Sequence, residues 1–309
     1  MFTLTRSRTR LDRQFDRIRD REEAGLNKKS TTSRALRKLL NNRLAMFGLA
    51  VFLIILLSSA FAPLLTSYDP LGVDMRSILK KPSLLHLFGT DKLGRDVFTR
   101  VLYGGRISIF VGLGSALGAA SIGVLLGAYG GYKGGWFDKT VIRFSEIFMS
   151  FPQLILVMML VSIFGQGLSN LMIIFIITGW GSVYRLTRAR MLSLREEEYV
   201  QSLKSFGLND FIICYKHILP NAISPIVVNI TLSTAMFILE ESALSFLGLG
   251  VPLEIATWGN ILNASQDLYT LQNTWWLWLP VGVTISLFVM SINFVGDGLR
   301  DTTDPTQQG

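Results

Sequence analysis

The sequence predicts an all-α membrane protein with six transmembrane helices and both termini on the cytoplasmic side. Three observations carry this. Half of the 309 residues are hydrophobic and only 17% are charged, too few polar positions to cover a soluble domain of this size. The apolar residues are gathered in blocks, most of them near the roughly 20 residues that a helix needs to cross a bilayer. Basic residues cluster between those blocks in a pattern that orients the chain.

Residues 1–43 carry thirteen Lys or Arg and form a cytoplasmic N-terminal arm. Within it, Arg6 to Glu23 mixes Arg, Asp and Glu at helix-compatible spacings, with Leu11, Phe15 and Ile18 as a thin apolar stripe. An interfacial helix and a loosely structured tail both fit that pattern. Residues 44–66 form the first transmembrane helix, apolar from Leu44 to Leu65. It begins too deep in the chain and is too long for an ordinary signal peptide, so it is read as a retained span.

Residues 67–106 form an extracytoplasmic loop. Asp69-Pro70, Lys81-Pro82 and Phe88-Gly89 punctuate its first part. The run Thr90 to Phe98 then reads as a capped helix start: Thr90 or Asp91 accepts the free backbone N–H groups, and Val97, Val101 and Leu102 open an apolar face. This loop holds seven basic and four acidic residues, so its outward assignment depends on the count of spans. Three basic residues in 130–143 and six in 185–220 fall on the same side as the arm, which the positive-inside rule makes cytoplasmic.

Residues 107–298 form a five-helix membrane core, and residues 299–309 a cytoplasmic tail. The spans are Ile107–Tyr129, Phe144–Phe164, Leu168–Val183 (short and weakly bounded), Ala222–Leu247 and Trp276–Phe294. Gly112, Gly114, Gly118, Gly123 and Gly127 place the second span at the packed centre, because small residues let helices approach closely in lipid. Gly130 to Asp138 is a tight cytoplasmic turn whose glycine pairs are followed by no Gly-Lys-Ser/Thr and preceded by no strand. With no Walker-type loop in the chain, any nucleotide that drives it binds elsewhere. Phe246 to Trp275 is an outer segment without Lys or Arg, in which Trp258, and then Trp275, Trp276 and Trp278, are placed to anchor at the headgroup level. The net charge of +8 is accounted for by loops beside anionic lipid rather than by nucleic acid. The single cysteine, Cys214, excludes an internal disulfide.

The coupling loop, 190–220, is the most informative stretch. Arg185, Arg188, Arg190 and Arg195 close the fourth span, and Glu196, Glu197 and Glu198 open a short helix with the sign that a helix N-terminus favours. Tyr199, Leu203 and Phe206 form one apolar face by their i, i+4 and i+3 steps, with Gln201 and Lys204 elsewhere. Gly207 permits a left-handed turn, Phe211, Ile212 and Tyr215 dock back onto the bundle, and Pro220 limits the element. Such a helix, joined to two spans, either transmits a push from a soluble partner or merely lies on the membrane.

This stretch resembles the inner-membrane subunit of binding-protein-dependent ABC importers, whose signature is Glu-Ala-Ala, three residues, Gly, nine residues, Ile, one residue, Leu-Pro. Gly207, Leu219 and Pro220 fall at the matching spacings; Gln201-Ser202-Leu203 replaces Glu-Ala-Ala and His217 stands in place of Ile. Phe88 to Asp96 resembles the outer-loop hallmark of the dipeptide, oligopeptide and nickel importer permeases. Leu244 to Gly250 and Asn293 to Asp301 are similar to that subfamily's second, C-type, oligopeptide permease. The resemblance covers nearly everything after residue 40.

It implies the type I importer permease fold in a bacterial inner membrane, with no catalysis by this chain alone. The expected partners are a homologous second permease, two ATP-binding subunits that hold ATP and Mg, an extracytoplasmic peptide-binding protein, and membrane lipids. The expected function is to form half of the pathway for oligopeptides and to couple ATPase motion to alternating access. Dipeptides, nickel or another small solute are alternative cargoes, and an ATP-independent secondary transporter is the alternative class. The residues implied in ATPase coupling are Glu198, Tyr199, Gln201, Ser202, Leu203, Phe206, Gly207, Leu219 and Pro220; those of the outer motif are Gly89, Thr90, Asp91, Gly94, Arg95 and Asp96. Glu240 and Glu241, charged groups at membrane depth, are candidates for the pathway or gate. His86 and His217 fall on opposite faces of the membrane, too far apart for a shared metal site, and no ligand spacing for a metal is present.

Overall fold

The computed structural model describes residues 39–303, and they are all-helical apart from loops and one isolated bridge. Most of the N-terminal arm, including Arg6 to Glu23, and the last six residues of the tail lie outside the described residues. Helix α1 spans Arg43–Ala60 and is capped by Asn42, whose side-chain oxygen accepts the Leu44 and Ala45 N–H groups. Helix α2, Val97–Lys133, is 37 residues long, or about 55 Å at about 1.5 Å per residue. After a turn at Gly134 come α3, Gly135–Met149, and α4, Gln153–Phe164. Helix α5 spans Leu168–Leu194, and α6, Glu198–Ser205, is the short helix of the coupling loop. Helix α7, Leu219–Phe246, follows a π-helical stretch, Ile213–Ile218. Two short outer helices, α8 (Trp258–Asn263) and α9 (Leu268–Asn273), precede α10, Leu279–Thr303.

Four helical stretches are long and apolar enough to cross a membrane: Arg43–Ala60, Val97–Lys133, Asp210–Phe246 and Trp275–Thr302. Counting α3 and α4 as one broken span makes five. The expected third span, Phe144–Phe164, is not a single straight helix, because α3 and α4 meet at 88°. Pro152 lies at the break, locks its own backbone and pushes Phe151 out of helical geometry. The expected fourth span is the front of α5, which runs on well past Val183. Its apolar run gives way to Thr178-Gly179-Trp180-Gly181-Ser182, so its length exceeds its apolar extent.

Helix α2 lies at the centre, packed along α5 and also against α7 and α1, while α10 joins α1 to α7. The glycines on α2 explain this closeness. A Cβ on Gly123 or Gly127 would lie 2.7 Å from the backbone carbonyl oxygens of Trp180 and Tyr184 on α5. Any larger residue there would force the two helices apart. The buried residues divide into an outer cluster around Trp258 and Phe288, a middle cluster around Phe175 and Phe237, and an inner cluster around Met191 and Ile213.

Two of the four tryptophans expected as headgroup anchors, Trp258 and Trp276, are buried in the protein instead. Trp258 is wholly enclosed and donates from its indole nitrogen to the Val101 carbonyl at 3.0 Å. Trp276 is also buried, and Trp275 is the exposed member. The reason is tertiary: α8 and the turn before α10 fold inward over α2 and α7 and carry these rings into the core.

Candidate functional site

Three places hold the sequence-predicted site residues, and the coupling loop is the one turned outward. Helix α6 ends in a Schellman arrangement: Gly207 N–H donates to the Lys204 carbonyl at 2.9 Å, and Leu208 N–H to the Leu203 carbonyl at 3.3 Å. Gly207 has φ of 75°, a left-handed backbone that favours glycine. Val200 is fully buried, and Leu203 and Leu208 pack beside it against Tyr132, Met191 and Ile213. Those neighbours come from α2, α5 and the π-helical approach to α7, so α6 is seated on three elements at once.

The apolar face therefore differs from the expected one. Leu203 is on it, but Tyr199 is partly exposed and Phe206 is 80% exposed. Phe211 and Ile212 are also exposed; Ile213, Cys214 and Ile218 make the inward contacts instead. Phe211 packs against Tyr215 in a tilted pair with ring centroids 4.5 Å apart, and Tyr215 donates its hydroxyl to the Leu125 carbonyl. The covered face is turned by one residue from the expected one, onto Val200 instead of Tyr199. Val200, Leu203 and Leu208 form the seam that a helix followed by its cap brings into line.

Glu198, Gln201 and Ser202 are exposed on the same short helix. The Gln201 amide donates to the Arg195 carbonyl and the Ser202 hydroxyl to the Glu198 carbonyl, so their side chains stay close to the loop. Leu219 is half-buried at the start of α7, and Pro220 is exposed in its first turn. Pro220 does not end the element, because a proline is tolerated in a first turn. It supplies no N–H to the turn before it, and the wider π-helical stretch lies immediately there.

Polar contacts hold the loop to the end of α2. The Tyr132 hydroxyl donates to Asp210 at 2.8 Å, Lys133 lies 3.5 Å from the same carboxylate, and the Lys204 ammonium sits 5.3 Å from the centre of the Tyr132 ring. Below α2, Asp138 on α3 receives the Arg188 guanidinium through two hydrogen bonds of 2.5 and 2.6 Å and the Tyr184 hydroxyl at 2.7 Å. Nothing in the local sequence marks Asp138 as the partner of a residue fifty positions away.

The outer motif is a folded knot. Asp91 accepts from the backbone N–H groups of Leu93 and Arg95 and from the Arg95 guanidinium at 2.7 Å. Thr90 accepts from Lys80 N–H at 2.8 Å and donates to the Ser77 carbonyl. Asp96, rather than Thr90 or Asp91, caps α2: it accepts from Thr99 N–H at 2.7 Å and contacts His86 at 2.9 Å. Gly89 and Gly94 both have left-handed backbones, with φ of 68° and 73°. Asp74, held below the ordinary carboxylate range chiefly by the Ser77 hydroxyl, belongs to the same knot. Its carbonyl lies against Gly94, where a side chain would overlap it. Gly94→Ala is therefore expected to reduce the folded, membrane-inserted protein severalfold, measured as the monodisperse fraction after mild extraction. Wild-type recovery would show that the knot tolerates a Cβ there.

Glu240 and Glu241 diverge in environment. Glu241 is fully enclosed and accepts from the Ser108 and Ser245 hydroxyls at 2.9 and 2.8 Å. Ser108 in turn accepts from the Trp258 backbone N–H at 3.2 Å, so Glu241 is linked to the start of α8. Glu240 is half-buried and accepts from the Gln153 amide at 3.1 Å. Among the described residues no group of three or more His, Cys, Asp or Glu side chains is placed to hold a metal.

Comparison with known proteins agrees across the chain. Residues 123–308 match the family model described as binding-protein-dependent transport system inner membrane component. Residues 30–82 match the model for the N-terminal transmembrane domain of oligopeptide transport permease C. A putative peptide permease protein of Brucella suis is 40% identical over 88% of this chain and 90% of its own length. The oligopeptide transport system permease protein OppC of Bacillus subtilis is 37% identical over 93% of both chains. The dipeptide transport system permease protein DppC of the same organism is 39% identical over 89% of this chain and 86% of its own.

Proposed function

The chain belongs to the family of binding-protein-dependent inner-membrane transport components, as a permease subunit of the peptide and nickel ABC importers, and from that premise we propose that it forms half of an oligopeptide pathway. It is a multi-pass protein of the bacterial inner membrane. The family members are transport permeases without catalysis of their own, and this chain is one subunit of a peptide-type importer.

A homologous second permease completes the pathway, two ATP-binding subunits carrying ATP and Mg dock on the coupling loop, and an extracytoplasmic binding protein delivers cargo. The chain crosses the membrane six times with both termini cytoplasmic; the broken α3–α4 pair supplies the fifth span, and α5, which length and apolarity alone do not qualify, supplies the sixth. Oligopeptides are favoured over dipeptides because the N-terminal segment matches the model named for oligopeptide transport.

One observation carries the coupling role. Val200 and Leu203 lock α6 to the helices, while Phe206 and Phe211 remain exposed on its outer side. A rigid seat with an exposed aromatic rim is what a push from an ATPase requires. ATP-driven closure would bias the inward-facing and outward-facing states by differential binding, with no covalent step in this chain. Glu240, only half-buried, is the candidate pathway carboxylate, and Glu241 holds the outer segment in place.

Intact-complex mass spectrometry after gentle extraction, through a tag on this chain, tests the assembly. The expected result is one second permease and two nucleotide-binding chains. Reproducible recovery as a monomer or homodimer in both detergent and nanodiscs would overturn it. Uptake of pentapeptide against competing dipeptide in the reconstituted complex then tests cargo length.

A further inference from the structure

A cavity of about 490 Å³ lies between α2 and the end of α1. Leu56 and Ala60 of α1 and Ile109, Phe110, Leu113 and Leu117 of α2 make it apolar. One charge lines it, Arg106. That side chain is exposed and, among the described residues, makes no ion pair. Its guanidinium lies 5.7 Å from the centre of the Tyr103 ring. A guanidinium at the edge of the hydrocarbon needs a counter-charge or water, and its planar fork matches phosphate oxygens.

From Arg106 to Leu117 the helix rises roughly 16 Å, at about 1.5 Å per residue. That is about half of a hydrocarbon core of about 30 Å, the depth of a single leaflet. A second cavity of about 350 Å³ continues from Leu117 to Leu125, and its lining has no charged residue to hold a headgroup.

We infer that the Arg106 groove is a phospholipid site, with the lipid phosphate on Arg106 and one acyl chain along Phe110, Leu113 and Leu117. In the proposed topology the lipid belongs to the outer leaflet. The competing occupant is a transmembrane helix of the second permease. An apolar helix would leave Arg106 facing it without a counter-charge, whereas a phosphate at the mouth and a chain one leaflet deep satisfy both features.

Native mass spectrometry of the tagged complex tests this after washing and incubation with mixed micelles of phosphatidylglycerol and phosphatidylcholine. The wild type is expected to retain a phospholipid that Arg106→Gln retains about tenfold less. Leu113→Trp, which fills the groove and keeps the charge, should lose it similarly. Arg106→Lys, which keeps a point charge, should retain more than Arg106→Gln. Subunit composition read in the same spectra separates lipid loss from misfolding, and Arg106 is exposed enough for its variants to fold. Equal retention by the wild type, Arg106→Gln and Leu113→Trp would overturn the site. Efficient cross-linking of Leu113→Cys to a second permease in intact membranes would also overturn it and assign the groove to a protein helix. The chain extracted alone gives the same readout, so failure of the importer assembly does not decide this question.

Discussion

Gly207→Trp is expected to strip the ATP-binding subunits from the complex and to lower peptide uptake at least tenfold, while the chain still reaches the membrane. The backbone at Gly207 has φ of 75°, and an L residue held there costs about 1–2 kcal/mol. A Cβ at this position meets nothing within 4 Å, so a side chain leaves the backbone here into open space. The strain and the added bulk fall on the cap of α6 and on its outer surface, beside Phe206. Gly207→Asn separates the two effects, since asparagine tolerates the left-handed backbone and adds little bulk. It should keep more of the ATPase than Gly207→Trp. The measurement is the ratio of ATP-binding chains to permease after pull-down, with uptake in vesicles alongside. Wild-type values for Gly207→Trp in both would remove α6 as the coupling element.

Asp138→Ala should be the largest single loss of stability at the inner end. The Asp138 carboxylate is buried and accepts two hydrogen bonds from Arg188 and one from Tyr184, tying α3 to α5. Removing one partner of a buried pair costs about 3–5 kcal/mol because it strands the other charge. The Arg188 side chain is 27% exposed and recovers some hydration, which lowers the expectation to about 2–4 kcal/mol. The check is thermal unfolding in detergent, where Asp138→Ala should melt several degrees lower. Asp138→Ala combined with Arg188→Ala should recover part of the loss, since no unpaired cation remains. An unchanged melting temperature in the single variant would show that the pair does not hold these helices together.

Apolar blocks, glycine runs and charge clusters were legible in the sequence because each reflects local chemistry. Helix α2 is recognisable from its glycines: Gly114, Gly118, Gly123 and Gly127 face α5 and Gly112 faces α7, each so closely that a Cβ would overlap the neighbouring helix. The short helix α6 and its cap were legible from Glu198 and Gly207. Its buried face differs from the expected one because amphipathic phase over a single eight-residue helix is weakly determined. Tyr199 and Phe206 are apolar, but exposed; Val200 is the residue that the bundle covers. The outer motif was visible as a pattern of Gly, Asp and Arg. Which aspartate caps α2 depended on how the loop crosses itself, and the answer was Asp96.

Sequence alone determined that this is a helical membrane protein, where its long apolar stretches lie, and that a short helix opening at Glu198 ends at Gly207. Those properties depend on transfer of apolar side chains into lipid and on backbone preferences that act within a few residues. The tertiary structure decided that Phe144–Phe164 bends by 88°, that Trp258 and Glu241 are enclosed, and that Asp138 meets Arg188. Each of those outcomes is set by contact between segments distant in the chain, where close packing leaves room for one arrangement and local sequence carries no record of the neighbour.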